Sequence, residues 1–244
     1  EKNKLIIQAI CVLGLILFSD VYITNLGNLL GFGEIHLGIF GIPFTIFCIV
    51  GMMNAFNYID GVNGLCASFS LVCLTSIIAI VNAFNSPNLL PLILPAGAIV
   101  GFLMYNLGIF GDQRNVFLGD NGSQALGFLC LWILVYFSQS ESYGFSPVTA
   151  LWLVAILFMD AVRVLVTRII SGLRGSNIFK AKRDHIHHKL QDYGFSNELV
   201  YSVLIFSAVS LSALGIFLNR IFLESHYYSF YTFIILWICF HIIV

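Results

Sequence analysis

The sequence predicts an all-α integral membrane protein of about eight transmembrane helices, and three observations predict it. The 244 residues are 59% hydrophobic and 9% charged, a balance far from that of a soluble domain. Mean hydropathy is +0.95, with the apolar residues gathered into runs near the ~20 residues a spanning helix needs. The basic residues are divided almost entirely to one side of those runs.

The first run covers 5–23, behind Lys2 and Lys4, and it lacks the small-residue cleavage site of a removable signal. The second and third, 37–56 and 65–84, flank a polar loop. The fourth covers 89–110 and the fifth, shortest, 124–139. The sixth, 147–168, carries Asp160 and Arg163. The seventh and eighth, 199–219 and 226–244, follow the longest polar connection. With the N-terminus inside, Lys2, Lys4, Arg114, Arg163, Arg168, Arg174, Lys180, Lys182, Arg183 and Lys189 fall on inside segments or helix ends. Arg220 alone falls outside. One missed span would reverse every later loop, so this division supports the count and puts the three polar loops on the cytoplasmic face.

Cys11, Cys48, Cys66, Cys73, Cys130 and Cys239 are scattered through the runs without a C-x-x-C pair, and read as packing residues. His36, His226 and His241 lack polar company and read as interfacial or packing groups. Without a fixed-period repeat or low-complexity linker, residues 1–244 form a single polytopic domain.

Candidate chemistry lies in the three loops. In the first, Asn54, Asn57, Asp60 and Asn63 recur every three residues, close to one face of a helical turn. Amide and carboxylate oxygens are hard ligands of the kind Mg²⁺ prefers, while Gly61 and Gly64 permit close backbone approach. The plainer reading is a helix end with Asn caps and a turn. In the second loop, Phe117–Ser123, Asp120 precedes Asn121-Gly122-Ser123 and a new apolar run. Asp120 suits a metal bridging a diphosphate, with Ser123 and exposed helix N–H groups on its oxygens; alternatively Asp120, Asn121 and Ser123 simply cap the fifth helix. The third loop holds six of the eleven basic residues, from Arg168 to Lys189, and His185, His187 and His188. Such a set suits a multiply charged anion. Zinc is a rival, although no Cys or acidic cluster completes four ligands there. Contact with anionic headgroups explains the Lys and Arg but not the His cluster. Asp160 and Arg163 pair across one helical turn, either as a structural ion pair or to position Arg168.

These loops, in this order, resemble those of the polyprenyl-phosphate N-acetylhexosamine-1-phosphate transferases, over nearly the whole chain. Asn54–Leu65 is similar to the family's N-x-x-N-x-x-D-G-x-D/N-G-L loop, and Phe117–Ser123 to its F-x-G-D-x-G-S loop. His185-Ile186-His187-His188 resembles the WecA- and TagO-like branch rather than the MraY-like peptidoglycan branch. Ser146–Trp152 and Met159-Asp160 agree in position as well.

The resemblance implies transfer of N-acetylglucosamine 1-phosphate, or a related N-acetylhexosamine 1-phosphate, from a UDP-sugar to undecaprenyl phosphate. UMP leaves and a lipid-linked cell-envelope glycan is begun. It implies that Asp120 and Asn57 match Mg²⁺-binding positions, that Asp60 matches a required carboxylate and that Arg168 matches a residue holding the nucleotide diphosphate. His185, His187 and His188 match its phosphate-binding loop, and Asn63 stands where bacterial relatives usually carry Asp. With the reading of the loops, the catalytic candidates are Asp60, Asn63, Asp120 and His185. Those for substrate binding are Asn54, Asn57, Ser123, Arg168, His185, His187 and His188, and those for metal are Asp120 and Asn57, with Mg²⁺ or alternatively Mn²⁺. The expected partners are the UDP-sugar, the polyprenyl phosphate and the bacterial cytoplasmic membrane; a homodimer is left open, and no nucleic acid is expected. Family members have about eleven spans and an upstream Asp pair, so these are expected to be the last eight, with about three N-terminal helices missing. A catalytically silent lipid-phosphate or nucleotide-sugar binder is the alternative. A transporter would place its polar groups near the bilayer midplane instead.

Overall fold

The computed structural model describes residues 2–82, 89–111, 116–140, 146–173, 184–222 and 225–243. Of the expected inside cations, Arg114, Arg174, Lys180, Lys182 and Arg183 lie outside the described residues. Each apolar run is helical, as α1 (Lys2–Ser19), α2 (Gly41–Ile59), α3 (Leu65–Asn82), α4 (Leu90–Asn106) and α5 (Gly119–Ser138). Then come α6 (Pro147–Leu153), α7 (Ala155–Leu173), the short α8 (Ile186–Asp192), α9 (Asn197–Ile221) and α10 (His226–Ile243). Among the described residues there is no strand, and a single isolated bridge pairs Asn25 with His36.

Local chemistry sets several starts. Ser146 caps α6 by accepting from the Thr149 N–H at 3.2 Å, with Pro147 at the first helical position. Ser196 caps α9 through the Leu199 N–H at 3.3 Å, and Glu198 adds a favourable charge in that first turn.

The sixth run is not one straight span. α6 and the helix after it are bent by 87° at Val154, where the backbone leaves helical geometry at φ −125° and ψ 24°. Packing holds α6 apart from α7's direction: Trp152 is fully buried, lies against Gly215 of α9 and donates Nε1–H to Ser229 of α10 at 2.9 Å. Among the described residues three helices are long and apolar enough to cross a membrane alone, Gly38–Ile59, Gly119–Ser138 and Asn197–Ile221, and the bent pair gives a fourth if it forms one span. The apolar segments of α1, α3 and α4 are shorter. The expected eight is therefore a count of apolar helical runs, not of full-length straight spans.

α2 is the central element. It packs most extensively on α5 and also meets α1 and α7, and a continuous apolar cluster runs from Val12 and Ile16 through Ile49, Phe56 and Cys73 to Leu134 and Leu204. A smaller cluster forms around Trp152, Met159 and Phe233. Gly127 permits the close α2–α5 approach: a Cβ there would lie 2.9 Å from the Met53 Cα and 3.0 Å from the Phe56 Cβ. Cys66, Cys73 and Cys130 are buried as expected of packing residues, but Cys11 and Cys239 are exposed on the helical surface. His36 does have polar company, Glu34 at 3.4 Å, on the connection between α1 and α2. That connection is tied to the end of α5 by Gln139, whose Oε1 accepts from the Thr24 N–H and whose Nε2 donates to the Asn25 carbonyl.

Candidate active site

The first loop grows out of the end of α2. The helix carries Asn54 and Asn57 and stops at Ile59, with Asp60 as its C-cap. The chain then turns through Gly61-Val62-Asn63-Gly64, and Gly64 takes φ +75°. The three-residue register therefore does not extend to Asn63, which stands exposed on the turn. Asn54 Nδ2 donates to Gln8 Oε1 at 3.0 Å and to the Val50 carbonyl at 2.7 Å. Asn57 is used at both ends: Nδ2 donates to Ser123 Oγ and Oδ1 accepts from Lys4 Nζ, each at 3.0 Å.

The second loop is helical earlier than the apolar run suggests, because α5 begins at Gly119 and includes Asp120 in its first turn. Its N-cap is Leu118, without a side-chain cap bond, so Asp120, Asn121 and Ser123 are not capping residues. Asp120 is exposed in the helix's positive end, whereas Ser123 is fully buried. The Ser123 hydroxyl lies 3.1 Å from the Gly119 carbonyl and 3.2 Å from that of Asp120, either of which can accept its proton. Gln124 Nε2 also donates to the Asp120 carbonyl at 2.8 Å, and Gln8 Nε2 donates to Gln124 Oε1 at 2.7 Å. Asn106, at the end of α4, secures the approach to this loop by donating to the Val116 carbonyl at 2.6 Å.

Asp60 lies within the field of Asp120. Burial, and secondarily the charge of Asp120, push the Asp60 carboxyl up to about 6. A carboxylate whose pKa is raised in part by a second one, with the Asn57 amide one turn back on the same helix end, is a hard donor set of the kind that fits Mg²⁺ chemistry. Asn57 Oδ1 has a second lone pair beyond its bond to Lys4. Among the described residues, no group of three or more His, Cys, Asp or Glu is arranged to hold a metal ion.

The third loop is anchored from within α7. Asp160, 2% exposed, accepts through Oδ2 from His185 Nδ1 at 2.8 Å and through Oδ1 from the Ile186 N–H at 3.0 Å. It thereby satisfies an amide at the start of α8, which has no cap from its own N-cap residue, His185. Arg163 Nη2 donates to Asp160 Oδ1 at 2.8 Å and also to the Asp184 carbonyl. The expected Asp160–Arg163 pair is present, but its carboxylate organises the His loop. Arg168 is engaged instead by the Asp184 side chain, at 3.7 Å.

The His cluster meets the first loop at two points. His185 stacks on Tyr58 with ring centroids 5.1 Å apart. His187 is fully buried with its ring over Gly61, where an added Cβ would lie 2.6 Å from Nε2. The backbone approach that Gly61 allows is thus made by His187. His188 packs on His187 at 3.9 Å and pairs through Nδ1 with Gln191 Oε1 at 3.1 Å. The site includes Lys4, Gln8, Asn106 and Gln124, none of which the loop motifs indicate. Lys4 just ahead of the first apolar run and Gln8 within it, four residues apart, are the signal that sequence offers for the first two.

Residues 1–138 match the family model of glycosyl transferase family 4, a segment that includes the first two loops. The chain belongs to glycosyl transferase family 4. Among its relatives in this family is an undecaprenyl-phosphate alpha-N-acetylglucosaminyl 1-phosphate transferase of Escherichia coli strain K12. It is 35% identical over 217 residues, which are 88% of this chain and 58% of the relative. The proteins of that name from Yersinia pestis and Haemophilus influenzae are 30% and 32% identical over 90% and 94% of the chain, and 60% and 64% of their own lengths. The chain thus spans less than two thirds of the length of these family 4 relatives.

Proposed function

We propose that the protein transfers N-acetylglucosamine 1-phosphate, or a related N-acetylhexosamine 1-phosphate, from a UDP-sugar to undecaprenyl phosphate and releases UMP. The observation that carries this reading is the junction of the first two loops, where Asn57 bonds Ser123 and the Asp60 carboxyl pKa is raised by burial and by the charge of Asp120, with the His loop packed on the same turn. The names of the relatives supply the substrate classes. The location is the bacterial cytoplasmic membrane, with the three loops on the cytoplasmic face, where nucleotide sugars are made.

The lipid phosphate oxygen attacks the β-phosphorus of the UDP-sugar, and the bond to UMP breaks. Both reactants are anions, so neutralisation and alignment are the protein's main tasks. Asp60, Asp120 and Asn57 would hold Mg²⁺, which supplies Lewis-acid polarisation of the diphosphate. Lys4, already donating to Asn57, adds a cation at the same node. Arg168, His185, His187 and His188 receive the negative charge that develops on departing UMP. The apolar helices accommodate the polyprenyl tail.

The test is UMP release from UDP-N-acetylglucosamine with undecaprenyl phosphate, with and without Mg²⁺, for the wild-type chain and Asp120→Asn. Mg²⁺-dependent release that falls about a hundredfold or more in the variant is expected. Release indifferent to both Mg²⁺ and the substitution overturns the reading.

A further inference from the structure

Asp160 is a buried carboxylate with every described contact directed at the His loop or at the arginine beside it. An ionised carboxylate can only accept hydrogen bonds, so the 2.8 Å contact with His185 requires a proton on Nδ1. Its other oxygen is committed to the Ile186 N–H and to Arg163. The remaining nitrogen of the ring, His185 Nε2, is buried and has no hydrogen-bond partner among the described residues. A polar atom orphaned at 8% residue exposure costs free energy until a partner arrives. The Tyr58 and His187 rings lie near-parallel to it, with centroids 5.1 and 6.3 Å away, without satisfying that atom.

We propose that Asp160 is a positioning residue that holds the Nδ1 proton of His185 and leaves Nε2 as the ring atom that meets a substrate phosphate oxygen. The substrate's identity rests on the transferase reading; the ring's protonation does not. Nε2 and the phosphate oxygen share one proton, which arrives either on the ring or on a phosphate monoester, so the balance of the transfer reaction is unchanged. Carboxylate control of a catalytic imidazole's tautomer is a general device, and substituting Asn for Asp defeats it by reversing the tautomer. That reversal is expected here for a local reason. The Asn oxygen must stay with Arg163 and the Ile186 N–H, which turns the amide NH₂ towards Nδ1 and moves the ring proton to Nε2.

The experiment is ¹⁵N NMR of the full chain labelled on histidine in lipid nanodiscs, with His185 assigned from a His185→Gln spectrum, for wild type, Asp160→Asn and Asp160→Glu. UMP and farnesyl monophosphate are titrated separately, to tell a nucleotide phosphate from a lipid phosphate. The wild-type ring is expected to carry its proton on Nδ1, with Nε2 shifting on addition of one of the two phosphates. Asp160→Asn should reverse the tautomer and lose the response, and Asp160→Glu should retain both. A wild-type proton on Nε2, or an Nε2 that ignores both phosphates, overturns the inference even where UMP release is intact. Conversely, a responsive Nε2 in a chain that releases no UMP supports the inference while overturning the transferase reading.

Discussion

A single missing methyl group joins two of the loops. With Ala at 61, the new Cβ would sit 2.6 Å from His187 Nε2, and His187 is fully buried. Gly61→Ala should therefore lower stability by about 1–3 kcal/mol through overpacking. Thermal unfolding in detergent should also show recovery when His187→Ala is added, because the ring that clashes is gone. Asp60 gives a pH dependence with a defined sign. Its folded pKa of about 6 lies above its ordinary value of 3.8, so the fold binds the extra proton and loses relative stability as pH rises between those values. A divalent cation bound there, as proposed, would reverse the preference. The rise in melting temperature caused by Mg²⁺ should be larger at pH 7.5 than at pH 5, and Asp60→Asn should remove the difference. Asp120→Asn should lower the Asp60 pKa without restoring its ordinary value, since burial is the larger cause; carboxyl ¹³C titration measures this directly. The polar residues of the loops were legible in the sequence because they interrupt apolar runs. The work of Asp160 was not: a spacing of three points to Arg163, whereas His185 lies 25 residues further on and is brought near only by packing.

At the scale of elements, the Asn57–Ser123 bond depends on how closely α2 and α5 approach. Gly127 lies one helical turn from Ser123, as Met53 does from Asn57, so the glycine sets the separation next to the bond. The obstacle to a side chain there is backbone, the Met53 Cα, which cannot swing aside. Gly127→Ala should cost about 1–3 kcal/mol and reduce UMP release although it contacts no substrate; unfolding and turnover measured on one preparation test both effects. Small residues at helix contacts commonly have this role in membranes. The helices themselves were legible from hydropathy alone. The bend at Val154 was not, because neither Pro nor Gly marks it and residues 150–157 are apolar across the break. Its cause, Trp152 held between α9 and α10, is a tertiary contact.

For the whole molecule, the division of basic residues predicts which side each loop faces. In a cysteine-free background, a membrane-impermeant thiol reagent applied from outside should label Glu34→Cys and leave Asn63→Cys and Tyr193→Cys unlabelled in sealed cells. Labelling of the latter pair would invert the orientation. The first loop holds both others, through Asn57 on Ser123 and through Tyr58 and Gly61 on the His rings. An arrangement of one keystone and two abutments gives descendants of such a chain unequal freedom. A third loop of different sequence can be exchanged between relatives provided a small residue stays at 61 and a carboxylate at 160. Exchange of the keystone would require both neighbours to change with it.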